Sequence, residues 1–456
     1  MLFRRLKTPG LAQHSYVLEC GDGRALVVDP RRDIDEYLHL ARENDLTITH
    51  VLETHRQEDF VHGSASLAAA TGAAIVAGIH ELFGRADLRL RDGEALEIGS
   101  TRVLAFETPG HTPESVSYAV YPRNAGGRCW GVFTGDALFV GETGRTDLTD
   151  PARTAENAGV LFDAIHEKLV PLGDPALLFP AHGSGSACGG AIADRDDSTL
   201  GIERQTNPVF TCGRNGFVEH KVAEKLPRPP YFRNMEAVNL DGGKPLPSLS
   251  SVAVLQAGEF RKRIGDACVI DTRAPDAFAG SHVPGAYNIW LDGLVSFGGW
   301  FAHRGEPVLL VTESPGDVAT AALALARIGI DDVAGALAGG IEAWREDGQA
   351  IEFVATTSAA QAARWRDEGS AVVLDVRDER EREEARIPGS LHVYVGDLEH
   401  DLPAVGKDER LVVHCSVGHR SGIAASILRR NGYTNVHNLL GGMKAWQALG
   451  FALEQG

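Results

Sequence analysis

Two histidines and one aspartate each come directly after a run of β-branched and apolar residues. His55 follows residues 47–52, His111 follows residues 102–106, and Asp136 follows residues 129–133. Such runs predict buried strands, so neighbouring strand ends can bring the three side chains together. Two imidazoles and one carboxylate on one ion leave its other positions open, which is typical of non-haem Fe(II). The sequence therefore predicts one Fe(II) ion per chain, held by His55, His111 and Asp136 and open to O2 and a substrate.

A second candidate site is a cysteine in a short loop. Cys415 follows the predicted strand at residues 410–413 and precedes a helix predicted to begin near Ser421. Backbone N–H groups of the loop and the positive end of the helix can face its sulfur. With Arg420 they favour the nucleophilic thiolate, so we predict that Cys415 and Arg420 are catalytic. The predicted substrate-binding residues of this loop are Ser416, Val417, Gly418, His419 and Ser421.

The composition excludes several classes of protein. A chain of 456 residues allows about two to four domains. The formal net charge of −18 argues against nucleic acid or an anionic membrane as partner, since both attract clustered Lys and Arg. Residues 1–7 lack the apolar stretch of a signal peptide, and no apolar run reaches membrane-spanning length. Six cysteines without framework spacing favour reduced thiols and a cytoplasmic protein. The sequence leaves a homo-oligomer open.

The order of strand and helix signals predicts three domains. Signals alternate from residue 1 to about residue 239, which is an α/β pattern. Turn-forming residues at 241–248 indicate a boundary there. Beyond it, four segments recur at a nearly constant offset: 269–273 as 374–377, 282–286 as 386–390, 308–311 as 410–413, and 338–344 as 440–446. We predict domains at residues 1–243, 249–350 and 357–456, the last two being copies of one α/β domain.

The first domain resembles the metallo-β-lactamase fold. The first signature of that family is His-x-His-x-Asp-His, and this chain has His55, Gln57, Asp59 and Phe60 in the corresponding places. The later signatures are intact, at residues 108–112, 134–139 and 180–183. The resemblance implies an αββα sandwich. It also implies that Gln57 and Phe60 each remove a ligand from one ion of a dinuclear zinc hydrolase such as glyoxalase II.

The remaining ligands point to another branch of this family. His55, His111 and Asp136 match the three residues with which persulfide dioxygenases of this fold hold one Fe(II). The resemblance extends to residues 144–148, 203–208 and 229–235. It implies oxidation of a thiol persulfide by O2 to sulfite, with return of the thiol. Mononuclear zinc with hydrolase activity is the alternative, because sequence determines ligand types more firmly than metal identity.

Four further residues of the first domain are candidate site residues with open alternatives. Asp59, assigned a catalytic role, and His182 either orient the metal ligands through hydrogen bonds or are remnants of a second metal site. Arg145 either binds a carboxylate of a glutathione-like carrier or fixes a loop through a salt bridge. Cys188, in the Gly/Ser-rich segment 183–189, either binds persulfide sulfur near the metal or is a buried, inert cysteine.

The two repeats resemble rhodanese sulfurtransferases, which are doubly wound α/β domains. The resemblance rests on residues 414–421 and implies that Cys415 carries sulfane sulfur as a persulfide. A protein phosphatase loop would need Arg six positions after its cysteine, where this chain has Ser421. In the first copy Glu313 stands in place of the cysteine and Asp317 would repel an anion. We predict that the first copy is inactive and serves as a spacer or docking surface.

The sequence thus predicts a persulfide dioxygenase fused to an inactive and an active rhodanese. Its expected partners are a persulfide of glutathione, coenzyme A or a similar thiol, together with O2, sulfite and thiosulfate. Two other functions stay open. One is a zinc-dependent thioester hydrolase resembling glyoxalase II, and the other is a non-enzymatic sulfur-binding or sensing protein.

Overall fold

The chain divides into two compact units in a computed structural model that describes residues 2–249 and 252–455. The first unit extends to residue 246 and includes residues 327–329, and the second holds residues 247–326 and those from 330 onward. Both predicted repeats lie in the second unit, and the boundaries at 243, 249–350 and 357 stay predictions. Among the described residues, no helix combines the length and hydropathy needed to span a membrane.

The first unit contains two six-stranded sheets whose strands lie in sequence order. The first sheet consists of β1 (Phe3–Thr8), β2 (Gln13–Gly21), β3 (Arg24–Val28), β4 (Thr47–Leu52), β5 (Ala74–Gly78) and β6 (Leu88–Leu90). The second consists of β7 (Ala95–Ile98), β8 (Thr101–Glu107), β9 (Val116–Pro122), β10 (Gly131–Gly135), β11 (Leu177–Pro180) and β12 (Ser198–Thr199). Strands β3 to β6 are parallel, as are β10 and β11.

Helices cover the outer face of each sheet. They are α1 (Asp35–Glu43), α2 (Ser64–Thr71), α3 (Thr154–Ala164), α4 (Leu200–Thr206), α5 (Pro208–Thr211), α6 (Gly213–Ala223) and α7 (Phe232–Leu240). Tyr37 of α1 packs on the first sheet, and Leu161 of α3 packs on the second. The inner faces meet in one core, in which Leu18 of the first sheet packs in the same cluster as Phe133 of the second. The layers confirm the predicted αββα sandwich.

The second unit contains two five-stranded parallel sheets with the same strand order. The first consists of β13 (Val254–Leu255), β14 (Cys268–Asp271), β15 (Tyr287–Asn288), β16 (Val308–Val311) and β17 (Val333–Leu337), in the order β13-β17-β16-β14-β15. The second consists of β18 (Ala355–Thr357), β19 (Val372–Asp375), β20 (Leu391–His392), β21 (Leu411–His414) and β22 (Val436–Leu439), in the order β18-β22-β21-β19-β20. The identical order confirms the predicted duplication.

The helices of the second unit also repeat, except that the helix at Leu294–Phe301 has no counterpart between β20 and β21. They are α8 (Ala257–Arg263), α9 (Pro275–Gly280), α10 (Leu294–Phe301), α11 (Asp317–Arg327), α12 (Gly340–Glu346), α13 (Ala359–Asp367), α14 (Glu379–Glu384), α15 (His419–Arg430) and α16 (Gly442–Ala448). A buried pair recurs with them: Arg273 approaches Asp271, and Arg377 approaches Asp375, each with a closest N–O distance of 2.6 Å. Such charge-assisted pairs hold the loop after a strand in a defined orientation.

Candidate functional site

The structure brings together the three predicted metal ligands of the first unit. Strands β4, β8 and β10 end just before the loops that carry His55, His111 and Asp136. The Oδ2 atom of Asp136 lies 3.3 Å from His111 Nε2 and 3.7 Å from His55 Nε2. All three atoms are buried and have no hydrogen-bond partner. Since buried polar atoms are rarely left unpaired, their convergence fits a bound cation.

Hydrogen bonds at the far side of each imidazole orient it toward that cluster. His111 Nδ1 lies 2.8 Å from the Arg145 carbonyl oxygen, so its N–H donates there and leaves Nε2 as a metal donor. His55 Nδ1 lies 2.9 Å from Thr54 Oγ1. The Thr54 hydroxyl donates to Asp29 Oδ2 at 2.7 Å. Burial raises the pKa of the Asp29 carboxyl to about 7 and lowers the pKa of His55 to about 4, which keeps His55 neutral.

Replacing Thr54 with valine tests this support of His55. Thr54→Val removes the oxygen beside Nδ1 while keeping the side-chain shape, so we expect metal affinity to fall by roughly 10- to 100-fold, as for other groups that orient a ligand. Thr49 provides a matched control, because its Oγ1 lies 2.9 Å from Nδ1 of His50 on the same strand, outside the cluster. Titration with Zn(II) should show the loss for Thr54→Val alone. Equal affinities would contradict the role of Thr54.

His182 lies between two carboxylates. Its Nδ1 is 2.8 Å from Asp136 Oδ1, and its Nε2 is 2.9 Å from Asp59 Oδ2. Burial lowers the pKa of His182, but the charges of Asp136 and Asp59 outweigh it and raise the pKa well above the usual value. Because both ring nitrogens are engaged, the geometry favours the ligand-orienting alternative for His182 and Asp59. Phe60, where the family signature has a histidine, is buried and offers no donor.

A carboxylate that sequence reasoning missed also faces the cluster. Glu58 is buried, and its unpartnered Oε2 lies 3.5 Å from His111 Nε2 and 3.7 Å from His55 Nε2. Burial lowers the pKa of His111, but Glu58 and Asp136 outweigh it and raise the value to about 9. The raised pKa of His111 indicates that the two carboxylates favour a positive charge at the centre of the cluster. The donor set of two imidazoles and carboxylates therefore fits a divalent metal ion.

Arg145 has no free donor for a substrate. Its Nε and Nη2 donate to the Asp147 carboxylate at 2.7 Å each. The remaining N–H groups donate to the carbonyl oxygens of Ala187, Leu226 and Pro227. All five N–H groups of a guanidinium are then used, and the side chain is buried. The geometry favours the loop-fixing alternative and corrects our expectation of a carboxylate-binding role.

Cys188 lies beside the metal-ligand cluster, as the predicted loop allows. Its Sγ and ligand atoms of His111 and Asp136 all lie within 4.8 Å of one another. The same spacing holds for Cys188, Asp59 and His182. Burial, together with the negative charges of Asp59 and Asp136, raises the pKa of the Cys188 thiol well above its usual value. The thiol thus faces the site without being a thiolate, unless a cation is present.

In the second unit, Cys415 occupies the bottom of the predicted loop. It follows β21 and precedes α15, whose first residue is His419. The Gly418 N–H donates to Cys415 Sγ at 3.1 Å, and Ser421 Oγ lies 3.5 Å from it. Gly418 adopts a φ of +120°, a conformation that favours glycine. Val417 and His419 are exposed at the rim of this loop.

Arg420 contacts the loop through a partner that the sequence did not reveal. Its Nη1 and Nη2 bind the Glu381 carboxylate at 2.5 and 2.7 Å. Nη2 also donates to Ser416 Oγ at 2.8 Å, and that hydroxyl donates to Glu381 at 2.7 Å. Burial raises the pKa of the Glu381 carboxyl, but the hydrogen bonds and charge of Arg420, with smaller contributions from Asp378 and Ser416, outweigh burial and lower the pKa to about 2. Arg420 therefore belongs to a closed ion pair with Glu381 that braces the loop at Ser416, the residue after Cys415.

Backbone hydrogen bonds to α16 set the direction of the loop. The carbonyl oxygens of Cys415 and Ser416 accept from the N–H groups of Met443 and Lys444 at 2.8 and 3.1 Å. Because these carbonyls point toward α16, the N–H groups of the loop point the other way. Gly442 has a φ of +48°, and a Cβ there would overlap the Cys415 carbonyl oxygen.

We expect Gly442→Ala to disable this loop. The added methyl must displace the Cys415 backbone, and a displacement of about 1 Å can cost roughly 100-fold in rate. Gly258 in α8 is the matched control, since a Cβ there has no atom within 4 Å. Sulfur transfer from thiosulfate to cyanide should fall for Gly442→Ala and stay unchanged for Gly258→Ala. Full activity of Gly442→Ala would show that the loop tolerates the displacement.

The first repeat lacks the cysteine but contacts the second. Glu313 is exposed in the corresponding loop, so that loop has no buried nucleophile. Trp290 of the first repeat stacks on His419, with ring centroids 4.7 Å apart and planes 17° apart. The Asn288 N–H donates to Ser426 Oγ of α15 at 3.2 Å. The first repeat therefore packs against the helix that follows Cys415.

The family models match both units. Residues 8–182 match the Metallo-beta-lactamase superfamily, and residues 256–347 and 358–449 each match the Rhodanese-like domain. The crystal structure of a metallo-beta-lactamase from Staphylococcus aureus subsp. aureus COL is 30% identical with a TM-score of 0.66, and the match covers 74% of this chain and 99% of that chain. The chain belongs to the metallo-beta-lactamase superfamily and carries two rhodanese-like domains.

Two relatives indicate which members of the superfamily the chain resembles. The chain is similar to Persulfide dioxygenase ETHE1, mitochondrial, of Homo sapiens, at 27% identity over 54% of this chain and 91% of that protein. It is also similar to the hydroxyacylglutathione hydrolase of Polaromonas sp., at 31% identity over 37% of this chain and 61% of that protein. Homologues of the first unit thus include persulfide dioxygenases as well as hydrolases.

Proposed function

We propose that the first unit is a mononuclear, metal-dependent persulfide dioxygenase. His55, His111 and Asp136 would hold Fe(II), which when bound supplies the redox chemistry that joins O2 to the terminal sulfur. The observation that carries this proposal is the convergence of three buried, unpartnered donor atoms from these residues. The similarity to persulfide dioxygenases over more than half of the chain supports it.

The substituted signature residues favour this reaction over that of a dinuclear hydrolase. Phe60 offers no donor where the signature has a histidine. The Gln57 amide nitrogen lies 3.3 Å from His55 Nδ1, on the side of the ring that is directed away from the cluster. His182 is engaged by two carboxylates. A second ion would therefore lack one of the ligands that the hydrolase signature supplies, because Phe60 replaces a histidine.

The overall reaction converts a thiol persulfide, O2 and water into the thiol, sulfite and two protons. The terminal sulfur is oxidised, O2 is reduced, and the S–S bond of the persulfide is broken. The chain's own residues orient this centre: Asp59 and His182 hold Asp136, and Thr54 holds His55. Cys188, beside the ligands, would contact the incoming sulfur.

The second rhodanese-like domain would transfer sulfane sulfur through Cys415. The Cys415 thiolate attacks a donor such as thiosulfate, an S–S bond forms to Cys415, and sulfite leaves with the electron pair of the broken bond. In reverse, sulfite takes the sulfur from the Cys415 persulfide to give thiosulfate. The Gly418 N–H stabilises negative charge on Sγ. The persulfide carrier is glutathione, coenzyme A or a similar thiol.

Anaerobically purified protein tests the proposal. The iron and zinc content is measured first, and then O2 uptake and sulfite formation with glutathione persulfide as substrate. We expect about one iron ion per chain, with O2 consumed in an amount equal to the sum of the sulfite and thiosulfate formed. Hydrolysis of S-lactoylglutathione by a zinc form, without O2 uptake by the iron form, would replace the proposal with a hydrolase. Sulfur uptake at Cys415 without any O2 uptake would make it a sulfur-binding protein.

A further inference from the structure

Glu58 is a buried carboxylate that the proposed reaction does not use. It follows β4, three residues after His55, and is 1% exposed. Its Oε2 has no hydrogen-bond partner. A carboxylate that is removed from water needs a cation or hydrogen-bond donors in compensation. The unpartnered oxygen therefore indicates that a positively charged group belongs beside it.

The neighbouring arginine does not meet this need. Arg56, two residues before Glu58, is directed to Glu114 and Glu236, at 3.9 Å from each. Glu58 Oε2 lies instead 3.7 Å from His55 Nε2 and 3.5 Å from His111 Nε2. These are two of the atoms that would bind the metal ion.

We propose that Glu58 is a fourth protein ligand of this ion, beside His55, His111 and Asp136. The proposal rests on the proposed function only in placing a metal at this cluster. Ligand atoms of His55, Glu58 and His111 all lie within 4.8 Å of one another. The four donor atoms are all buried and all unpartnered. One metal ion bound by all four atoms explains why each of them has no hydrogen-bond partner.

A second carboxylate changes which ligands the ion accepts. A divalent ion with two neutral imidazoles and one carboxylate keeps a net positive charge, whereas a second carboxylate neutralises it. The neutral centre attracts small anions less strongly, and the fourth protein ligand leaves fewer open positions. Small inorganic anions such as hydrosulfide are then poor ligands. An organic persulfide, which gains further contacts through its carrier, is the substrate class that this centre favours.

Glu58→Gln tests the assignment, because glutamine keeps the shape and removes the charge. Metal-free protein is titrated anaerobically with Co(II) alone, and the Co(II) absorption spectrum is recorded. We expect the affinity for Co(II) to fall at least about tenfold and the visible bands to shift. Azide should bind the Co(II) form of Glu58→Gln more tightly than that of the unaltered protein. The control is Glu53→Gln, because Glu53 is also buried but faces His62, at 3.5 Å from Nδ1.

Thermal unfolding provides a second readout. The melting temperature of Glu58→Gln is measured without metal and with added Co(II). The stabilisation produced by added Co(II) should shrink, since binding to the native state is weaker. If Glu58 has a structural role alone, Glu58→Gln should lower the melting temperature of the metal-free protein and leave the stabilisation by Co(II) unchanged.

Unchanged Co(II) affinity and an unchanged spectrum in Glu58→Gln would overturn the assignment. If the iron form of the unaltered protein then still oxidises glutathione persulfide, only the role of Glu58 falls. If Glu58→Gln weakens Co(II) binding but no form of the protein consumes O2 with the persulfide, the proposed function falls and the fourth ligand stands.

Discussion

His111→Ala is expected to remove the metal ion and persulfide oxidation together. Of the two imidazoles, that of His111 lies closer to Asp136, with 3.3 Å between Nε2 and Oδ2. The Nδ1 atom of His111 is held by the Arg145 carbonyl oxygen. Alanine leaves two carboxylates facing a single imidazole. Since the loss of a mere orienting group costs about 10- to 100-fold in metal affinity, the loss of a ligand should cost more than about 100-fold. Iron content and O2 uptake with glutathione persulfide measure the effect.

His50→Asn is the control for this substitution. His50 lies on β4, five residues before His55, and its partner is Thr49 rather than the cluster. Its substitution should leave iron content and O2 uptake unchanged. Transfer of sulfur from thiosulfate to cyanide should survive in His111→Ala, because Cys415 lies in the other unit. Normal iron content in His111→Ala would refute the assigned ligand set.

The strand ends of the first unit were predictable because each combines an apolar, β-branched run with a potential metal ligand just after it. The run at residues 47–52 is β-branched and apolar, and it forms β4 with those bounds. A histidine that follows such a run must lie at the edge of the sheet, so His55 could be placed before any distance was known. The strand predicted at residues 129–133 begins later, at Gly131. It also ends later than predicted, at Gly135 instead of residue 133, and Asp136 still follows the end of the strand.

The supporting contacts could not be predicted, because they join residues that are far apart in the chain. Thr54 meets Asp29 only when β3 and β4 pair. Arg145 uses carbonyl oxygens near residues 226–227, and Arg420 meets Glu381. From the sequence alone, an arginine that binds substrate cannot be distinguished from one that fixes a loop. Glu58 gives no pattern at all, since a single glutamate in a loop is ordinarily solvated.

The arrangement of the Cys415 loop leads to the second large prediction. Cys415→Ser keeps a small polar group beside the Gly418 N–H, but a serine oxygen cannot hold a sulfane sulfur. Transfer of sulfur from thiosulfate to cyanide should therefore fall by at least about 1,000-fold, as nucleophile removal does elsewhere. Cys212→Ser is the control, because Cys212 is an exposed cysteine of the first unit and no step depends on it.

The products formed under air distinguish the role of Cys415 from that of the metal centre. With glutathione persulfide, the unaltered protein should release thiosulfate as well as sulfite, because Cys415 passes sulfur to the sulfite that the first unit makes. Cys415→Ser should consume O2 at the normal rate and release sulfite alone. The uncatalysed reaction of sulfite with glutathione persulfide is measured without protein and subtracted. If Cys415→Ser still forms thiosulfate above this background, sulfur reaches sulfite by a route that bypasses Cys415, and the persulfide must be transferred elsewhere in the chain.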